Sequence, residues 1–231
     1  LAYETWADEI AKEIENGFKD SLDCLKWAHQ EYGNKIIYAC SFGMEGIVLI
    51  DFISKLKIDL RVIFLDTGLH FQETYALIEK VRKRYPNMQI DIIQPTLTLE
   101  QQAITFGEEL WSKQPDRCCY LRKVKPLEEV LQRAPAWISG LRREQSETRK
   151  HLRYINRDHK FQTIKICPLI DWTKEEVKMY INLHQLDYNE LHDRGYPSIG
   201  CQPCTMPAID PTDERSGRWV HFSKTECGLH T

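Results

Sequence analysis

Five of the eight cysteines in this chain are placed where they could bind metal or act as a nucleophile. Cys118 and Cys119 are adjacent, and Cys201 and Cys204 form a Cys-x-x-Cys pair much later in the chain. Two such pairs can approach one four-iron cluster from opposite sides, with one thiolate for each iron. Cys227 stands apart in a polar, glycine-containing segment, and it is the best candidate for a nucleophile.

The four paired cysteines could instead hold zinc, because Cys-x-x-Cys pairs are common zinc ligands. The adjacent pair argues against zinc, since chelation of one tetrahedral ion by neighbouring residues strains the backbone. A cube of four irons separates its ligand positions more widely. We therefore favour an iron–sulfur cluster, and structural zinc and unmetallated thiols stay open as alternatives. Cys24, Cys40 and Cys167 lie in apolar stretches and are expected to be small buried hydrophobes without a further role.

The length and composition are those of one globular α/β domain. The 231 residues are 42% hydrophobic and 28% charged, and no run approaches the roughly 18 apolar residues that span a bilayer. Residues 1–6 do not resemble a signal peptide, so we expect a cytoplasmic protein, where disulfides are disfavoured. The net charge of −3 gives no overall basic field. We therefore expect neither a nucleic-acid partner nor a membrane.

Apolar patterning predicts alternating strands and helices, which is typical of a mostly parallel sheet flanked by helices. We expect one domain, with a nucleotide-binding core over about residues 30–190 and a cluster half-site with a mobile catalytic tail over about 191–231. The predicted strands are 36–39, 60–65, 89–93, 136–139 and 164–169. The predicted helical segments are 5–29, 47–55, 71–85, 99–133 and a capping-box helix from 173 to about 184.

Two glycine-containing loops follow consecutive predicted strands. They are Ser41-Phe42-Gly43 and Asp66-Thr67-Gly68. Ligands of doubly wound sheets bind beyond the carboxyl ends of the strands, where the N–H groups of helix starts face an anion. A glycine after a strand is often only a turn, but two such loops together favour a nucleotide site. It is not a Walker site, because the Gly-x-x-x-x-Gly-Lys-Ser/Thr pattern is absent.

Arginines form a second group that could bind an anion. Arg142, Arg143 and Arg149 lie in one polar stretch, and Arg215 and Arg218 lie near the end of the chain. A guanidinium group binds phosphate or sulfate oxygens in pairs and keeps its charge at every relevant pH. Any one of these arginines could simply be solvated. Their glycine and serine neighbours favour a clamp around a small anionic ligand.

Together these motifs resemble the assimilatory sulfonucleotide reductases, in particular the iron–sulfur type that reduces adenylyl sulfate. The resemblance covers nearly the whole chain, and Glu226-Cys227-Gly228-Leu229-His230 is its most specific motif. The paired cysteines indicate the subclass. Members that reduce 3′-phosphoadenylyl sulfate share the nucleotide fold and the last cysteine but usually lack the cluster ligands.

The resemblance implies a Rossmann-like fold of the adenine-nucleotide α-hydrolase type and a thioredoxin-dependent reduction of adenylyl sulfate to sulfite and AMP in sulfate assimilation. The thiolate of Cys227 would attack the sulfur and expel AMP, and thioredoxin would resolve the S-sulfocysteine. Lys123 and His230 would be the other catalytic residues, with Lys123 between cluster and substrate. A [4Fe-4S] cluster would be held by Cys118, Cys119, Cys201 and Cys204.

Substrate binding is assigned to the two loops, to Gly140 and to the arginines, and we expect a homo-oligomer. In the family pattern Ser41, Leu65 and Gly140 line the nucleotide pocket while arginines hold the phosphosulfate. The residues assigned to substrate binding are Ser41, Gly43, Leu65, Asp66, Thr67, Gly140, Arg142, Arg149, Arg215 and Arg218.

Three alternatives stay open. The chain could reduce 3′-phosphoadenylyl sulfate, alone or beside adenylyl sulfate. It could be an ATP-dependent tRNA thiolase, although such enzymes carry Ser-Gly-Gly-x-Asp-Ser where this chain reads Ser-Phe-Gly-Met-Glu-Gly. It could also be a non-catalytic iron–sulfur sensor, in which Cys227 would be dispensable.

Overall fold

A computed structural model of the chain, which describes residues 1–210 and 212–230, contains a six-stranded sheet. The strands are β1 (Ile37–Ala39), β2 (Arg61–Leu65), β3 (Ile90–Ile93), β4 (Ala136–Ile138), β5 (Ile155–Asp158) and β6 (Thr163–Ile166). They lie in the order β3-β2-β1-β4-β6-β5, and only the β5–β6 pair is antiparallel. The predicted α/β class with a mostly parallel sheet is confirmed.

Helices connect most of the strands. The α-helices are α1 (Asp8–Asn16), α2 (Ser21–Tyr32), α3 (Met44–Lys55), α4 (Gln72–Arg84), α5 (Leu99–Phe106), α6 (Leu110–Lys113), α7 (Pro115–Cys119), α8 (Lys125–Leu131) and α9 (Lys174–Leu183). A π-helical turn, Tyr120–Val124, joins α7 to α8, and short 3₁₀ helices lie at Gly33–Lys35, Arg143–Gln145, Glu147–Arg149, Glu190–Arg194 and Gln202–Cys204. Among the described residues, none of the helices combines the length and apolarity that crossing a bilayer requires.

Side-chain caps set two helix boundaries, at Asp20 and at Thr173. The side chain of Asp20 accepts hydrogen bonds from the N–H groups of Leu22 (2.8 Å) and Asp23 (2.9 Å), so the first helical segment divides into α1 and α2. The capping box at α9 is confirmed: Thr173 Oγ1 accepts from Glu176 N at 3.1 Å, and the Glu176 carboxylate accepts from Thr173 N at 2.7 Å.

The structure adds one strand that the sequence pattern does not predict. In β5 only the end residues, Ile155 and Asp158, are buried, and Asn156 and Arg157 are half-buried. This strand lies at the edge of the sheet, where a short polar sequence can still pair on one side. Its antiparallel pairing closes the sheet next to β6.

The period-two alternation of strand residues builds a core on each face of the sheet. On one face, Tyr38, Val62 and Phe64 pack with residues of α2, α3, α4 and α9. On the other face, Ile37, Ile63, Leu65 and Trp137 pack with Leu127 and Leu131 of α8. Because β1, β2 and β4 are parallel neighbours, the loops that follow them meet at one edge of the sheet.

This packing predicts how stability responds to truncation in the sheet. We expect Ile63→Ala to lower the free energy of unfolding by about 2–5 kcal/mol, because Ile63 is fully buried in a central strand and truncation leaves a cavity. Ile104→Ala is the control, since Ile104 is 86% exposed on α5, and we expect a change within about 0.5 kcal/mol. Urea unfolding measures both, and equal losses would contradict this packing.

Candidate active site

A cavity opens at the carboxyl edge of β1, β2 and β4, and it gathers most of the residues that the sequence singles out. The predicted site residues that line it are Ser41, Gly43, Leu65, Lys123, Gly140, Arg149, Arg215, Arg218, Cys227 and His230. They come from both halves of the chain. Their assembly in one cavity follows from the parallel pairing of the strands.

The first loop presents the start of α3 to the cavity. Gly43 is the N-cap residue, and no side chain caps the helix, so N–H groups of the first turn keep their capacity to bind an anion. Phe42 adopts a left-handed φ of +57°, a strained conformation for a residue with a large side chain. Burial of Phe42 against Phe64, at 5.5 Å between ring centroids, holds it there.

The second loop is tied to protein groups. Asp66 accepts hydrogen bonds from the Tyr75 hydroxyl (2.7 Å) and from Gly68 N (2.9 Å). Thr67 is fully buried, and its hydroxyl lies 3.2 Å from Cys201 Sγ. This loop therefore packs against Cys201. The contact of Asp66 and Thr67 with substrate stays a prediction.

Arg142 is also occupied by protein groups. Its buried guanidinium contacts the carboxylates of Glu45 (Nε, 2.7 Å), Glu214 (Nη2, 2.9 Å) and Glu144 (Nη1). These carboxylates raise the pKa of Arg142, although burial alone would lower it. The network joins the start of α3 to the segment around residue 214. A substrate contact of Arg142 stays a prediction.

The four paired cysteines lie close together. Cys118 and Cys119 end α7, directly before the π-helical turn, and Cys201 is buried and bridged to His70 in an antiparallel pair. Burial, with Cys201 and Cys204 nearby, raises the pKa of Cys118 to about 11. Burial likewise raises the pKa of Cys119 to about 12. The raised pKa values favour the protonated forms of Cys118 and Cys119, whereas a bound metal requires their thiolates.

The chemistry of the four paired cysteines is that of iron–sulfur ligands, and the cluster itself stays a prediction. In residues 1–210 and 212–230, no three Cys, His, Asp or Glu side chains are arranged to hold one metal ion. Four soft sulfur ligands in two pairs match iron–sulfur chemistry, because a four-iron cluster holds its ligands farther apart than a single tetrahedral ion does. Arg122 and Lys123 supply positive charge beside Cys118. The residues that could hold the group are those predicted, Cys118, Cys119, Cys201 and Cys204.

Cys227 lies in the same cavity with its thiolate favoured. Burial alone would raise the pKa of Cys227, but Lys123, the N–H of Leu229 and Arg218 outweigh it, so the pKa falls below its ordinary value. Burial would lower the pKa of Lys123, yet Cys201, Cys227 and Cys119 raise it above its ordinary value. Lys123 is therefore a cation in the cavity beside Cys227, and its position between cluster and substrate stays a prediction.

Residues around Cys227 fasten its segment to the rest of the protein. The Glu226 carboxylate accepts hydrogen bonds from Arg149 Nε and Nη2, both at 2.9 Å. Lys160 Nζ donates to the carbonyl oxygen of Gly228. The imidazole of His230 stacks on Trp137, with 5.9 Å between centroids and 8° between ring planes. His230 thus lies in the cavity, and its catalytic role stays a prediction.

Sequence reasoning missed several residues that shape the site. Arg122 is buried and donates to the carbonyl oxygens of Thr67 and Leu97 and to Gln102 Oε1, which fixes the second loop against α5. Trp137 Nε1 donates a hydrogen bond to Asp158 Oδ2 at 3.2 Å, and the indole ring stacks on the imidazole of His230. The position of Trp137 in a short apolar strand was the available signal, but nothing in the sequence reveals which ring stacks on it.

Comparison with known proteins identifies the family. Residues 35–207 match the model of the phosphoadenosine phosphosulfate reductase domain. An adenosine 5′-phosphosulfate reductase of Geobacillus thermodenitrificans is 60% identical over 100% of this chain and 99% of its own length. Adenosine 5′-phosphosulfate reductase 2 of Bacillus subtilis is 57% identical over 100% of this chain and 98% of its own. This chain belongs to the phosphoadenosine phosphosulfate reductase domain family, so the predicted resemblance is confirmed.

A solved structure agrees with the fold. The phosphoadenylyl-sulfate reductase of Candida auris, in a phosphate complex, superposes with a TM-score of 0.78 at 31% identity, covering 87% of this chain and 98% of that one. The FMN adenylyltransferase of Candida glabrata reaches a TM-score of 0.62 at 17% identity over 90% of this chain and 69% of that one, a likeness of fold alone.

The charges around Cys227 predict the pH dependence of its reactivity. Because the pKa of Cys227 lies below its ordinary value of 9.0, we expect rapid alkylation by iodoacetamide to persist as the pH falls below 9. Lys123→Gln removes the leading favourable charge, so the inflection should move to higher pH and the rate at neutral pH should fall roughly tenfold. Peptide mass spectrometry resolves Cys227 from the other thiols.

Lys83→Gln is the matched control, because Lys83 is an exposed lysine on α4 and its loss removes the same charge. Its alkylation profile should equal that of the unaltered protein. A Lys123→Gln profile that also superposes on that of the unaltered protein would contradict the assigned role of Lys123.

Proposed function

We propose that this chain reduces adenylyl sulfate to sulfite and AMP, with thioredoxin as the reductant, in sulfate assimilation. The observation that carries the proposal is the placement of Cys227, with its lowered pKa, in the same cavity as the first loop, Lys123 and Arg218. A nucleophile, a nucleotide-type loop and cations for a leaving phosphate are the parts that sulfonyl transfer needs.

The reaction divides into two displacements. The Cys227 thiolate attacks the sulfur of adenylyl sulfate, a sulfur–sulfur bond forms, and the bond from sulfur to the bridging oxygen breaks. That electron pair stays on AMP, whose phosphate gains negative charge beside Arg218 and Lys123. One thiolate of thioredoxin then attacks Sγ of Cys227 and releases sulfite. Its second thiol resolves the mixed disulfide, so the dithiol supplies both electrons.

The proposal includes a [4Fe-4S] cluster on the four paired cysteines. When bound, the cluster would supply electrostatic and structural support rather than electrons for the substrate. Lys123 interacts electrostatically with Cys201, Cys119 and Cys227. Its positive charge can therefore offset negative charge on the cluster ligands and on the nucleophile. The cytoplasmic location, the homo-oligomer and the division near residue 190 stay predictions.

Sequence similarity to known reductases favours adenylyl sulfate over its 3′-phosphorylated form as the substrate. Full-length relatives at 57–60% identity carry the name of adenosine 5′-phosphosulfate reductases, whereas the phosphoadenylyl-sulfate reductase of Candida auris is 31% identical. The deciding experiment compares sulfite release from the two nucleotides with a thioredoxin system, on protein purified without oxygen. A clear preference for the 3′-phosphorylated nucleotide would overturn the choice of substrate.

Cys227→Ser tests the nucleophile. A serine hydroxyl is not ionised at neutral pH, so we expect sulfite release to fall by roughly a thousandfold or more while AMP binding stays within about twofold. Cys167→Ser is the control, because Cys167 is buried at the end of β6 and away from the paired cysteines. Sulfite release that persists in Cys227→Ser would favour the sensor alternative.

Cys201→Ala tests the metal centre. We expect the purified variant to lose iron, acid-labile sulfide and the brown colour of iron–thiolate charge transfer, because one cluster ligand is gone. Cys167→Ala removes a buried thiol elsewhere and should keep the iron content of the unaltered protein. Metal analysis of anaerobically purified protein provides the measurement. Zinc without iron in the unaltered protein would remove the cluster from the proposal.

A further inference from the structure

The loop that carries Cys201 and Cys204 is hydrogen-bonded to the segment that carries Arg218. Thr205 and Arg218 form an antiparallel bridge. Trp219 N donates to the carbonyl oxygen of Cys204 at 3.2 Å. The buried hydroxyl of Thr205 donates to the carbonyl oxygen of Cys201 at 2.9 Å, which ties the two ends of the loop together. The backbone of Arg218 is therefore attached to the loop that holds the two cysteines.

Gly200, directly before Cys201, leaves room for the side chain of Arg218. A Cβ at Gly200 would lie 2.6 Å from Arg218 Cζ and 3.0 Å from its Nη1, closer than unbonded atoms pack. The φ of Gly200 lies outside the left-handed range, so its backbone conformation would accept another residue. What requires glycine here is space, because the guanidinium occupies the volume that a side chain would fill.

Few polar contacts hold the guanidinium of Arg218. Its Nη1 donates to Ser198 Oγ at 3.2 Å, and its Cζ lies 4.3 Å from the centroid of the Trp219 ring, a cation–π contact. Its buried Nε has no hydrogen-bond partner among residues 1–210 and 212–230. The position of this guanidinium at the cavity therefore depends mainly on the shape of its surroundings.

We infer that Gly200 is a positioning residue: its lack of a side chain lets the Arg218 guanidinium lie against the cysteine loop and face the cavity. The inference rests on the proposed function, in which Arg218 meets the phosphate of the nucleotide. One short stretch, residues 200–205, then carries two predicted cluster ligands and also supports an anion-binding arginine. A side chain at Gly200 should displace Arg218 while every cysteine stays in place.

Gly200→Ala tests this inference. The added methyl group meets the far end of a flexible side chain, so we expect the guanidinium to move and the fold to stay intact. In a Cys227→Ser background, adenylyl sulfate should bind roughly tenfold more weakly, because the displaced guanidinium loses charge-assisted hydrogen bonds to the anion. The metal content of anaerobically purified protein should equal that of the unaltered protein, since all four paired cysteines remain.

A second measurement follows Arg218 without any substrate. Phenylglyoxal modifies accessible guanidinium groups, and peptide mass spectrometry resolves Arg218 from the other arginines. In Gly200→Ala we expect Arg218 to react roughly tenfold faster, because it loses its contact with Trp219 and its hydrogen bond to Ser198. This result does not depend on the nucleotide, so it is distinct from a failure of the proposed reaction.

Gly17→Ala is the matched control. Gly17 is exposed at the end of α1, and its φ of −82° accepts alanine, so none of the three measurements should change. Arg218→Gln alone should weaken binding of adenylyl sulfate roughly tenfold. Adding Gly200→Ala to Arg218→Gln should weaken binding by less than about twofold further, as expected for two changes that act through one group.

Three results would overturn the inference. Unchanged nucleotide binding and an unchanged phenylglyoxal rate in Gly200→Ala would mean that Arg218 does not need this space. Loss of metal from Gly200→Ala would assign the glycine to the cysteine loop rather than to the arginine. Losses of binding that add fully in the double variant would give Gly200 a role separate from Arg218.

Discussion

A positive charge removed from water needs a negative partner nearby, and in this protein the half-buried Lys123 finds one in the favoured thiolate of Cys227. Cys201, Cys227 and Cys119 together keep its pKa above the ordinary value in spite of burial. The same attraction lowers the pKa of Cys227. One ammonium group therefore couples the paired cysteines to the nucleophile. The rest of the site holds Lys123, the paired cysteines and Cys227 near one edge of the sheet.

The sheet supplies that edge. Parallel pairing of β1 with β2 and β4 brings the first loop, the second loop and Gly140 together, although they lie far apart in the chain. The π-helical turn after α7 lets one continuous helical segment contribute Cys118, Cys119 and Lys123. The last segment of the chain has little regular structure of its own. Ion pairs and ring stacking therefore hold it in the cavity.

The fold was readable from the sequence where local and global preferences agree. Continuous apolar runs such as Val62-Ile63-Phe64-Leu65 have few options other than a buried parallel strand, and the capping box at Thr173 marks its helix directly. The edge strand β5 was missed because Asn156 and Arg157 carry no such signal. The spacing of the paired cysteines also indicated that they lie near one another, as Cys118 does to Cys201 and Cys204, and their role as cluster ligands stays a prediction.

The roles of the arginines were not readable in the same way. Arg142, Arg149 and Arg218 look alike in the sequence, and only the fold shows that Arg142 meets three carboxylates while Arg149 meets Glu226, 77 residues later. Long-range partners of this kind depend on how the chain returns to the sheet. A pattern of nearby residues cannot encode them.

The central claim is that Cys227 takes the sulfonyl group of the nucleotide. The most direct measurement is mass spectrometry of anaerobically prepared protein after incubation with adenylyl sulfate and without thioredoxin. We expect an S-sulfonate on Cys227 and on no other cysteine, with one AMP released for each adduct formed. Release of AMP and sulfite with no covalent adduct on Cys227 would contradict it.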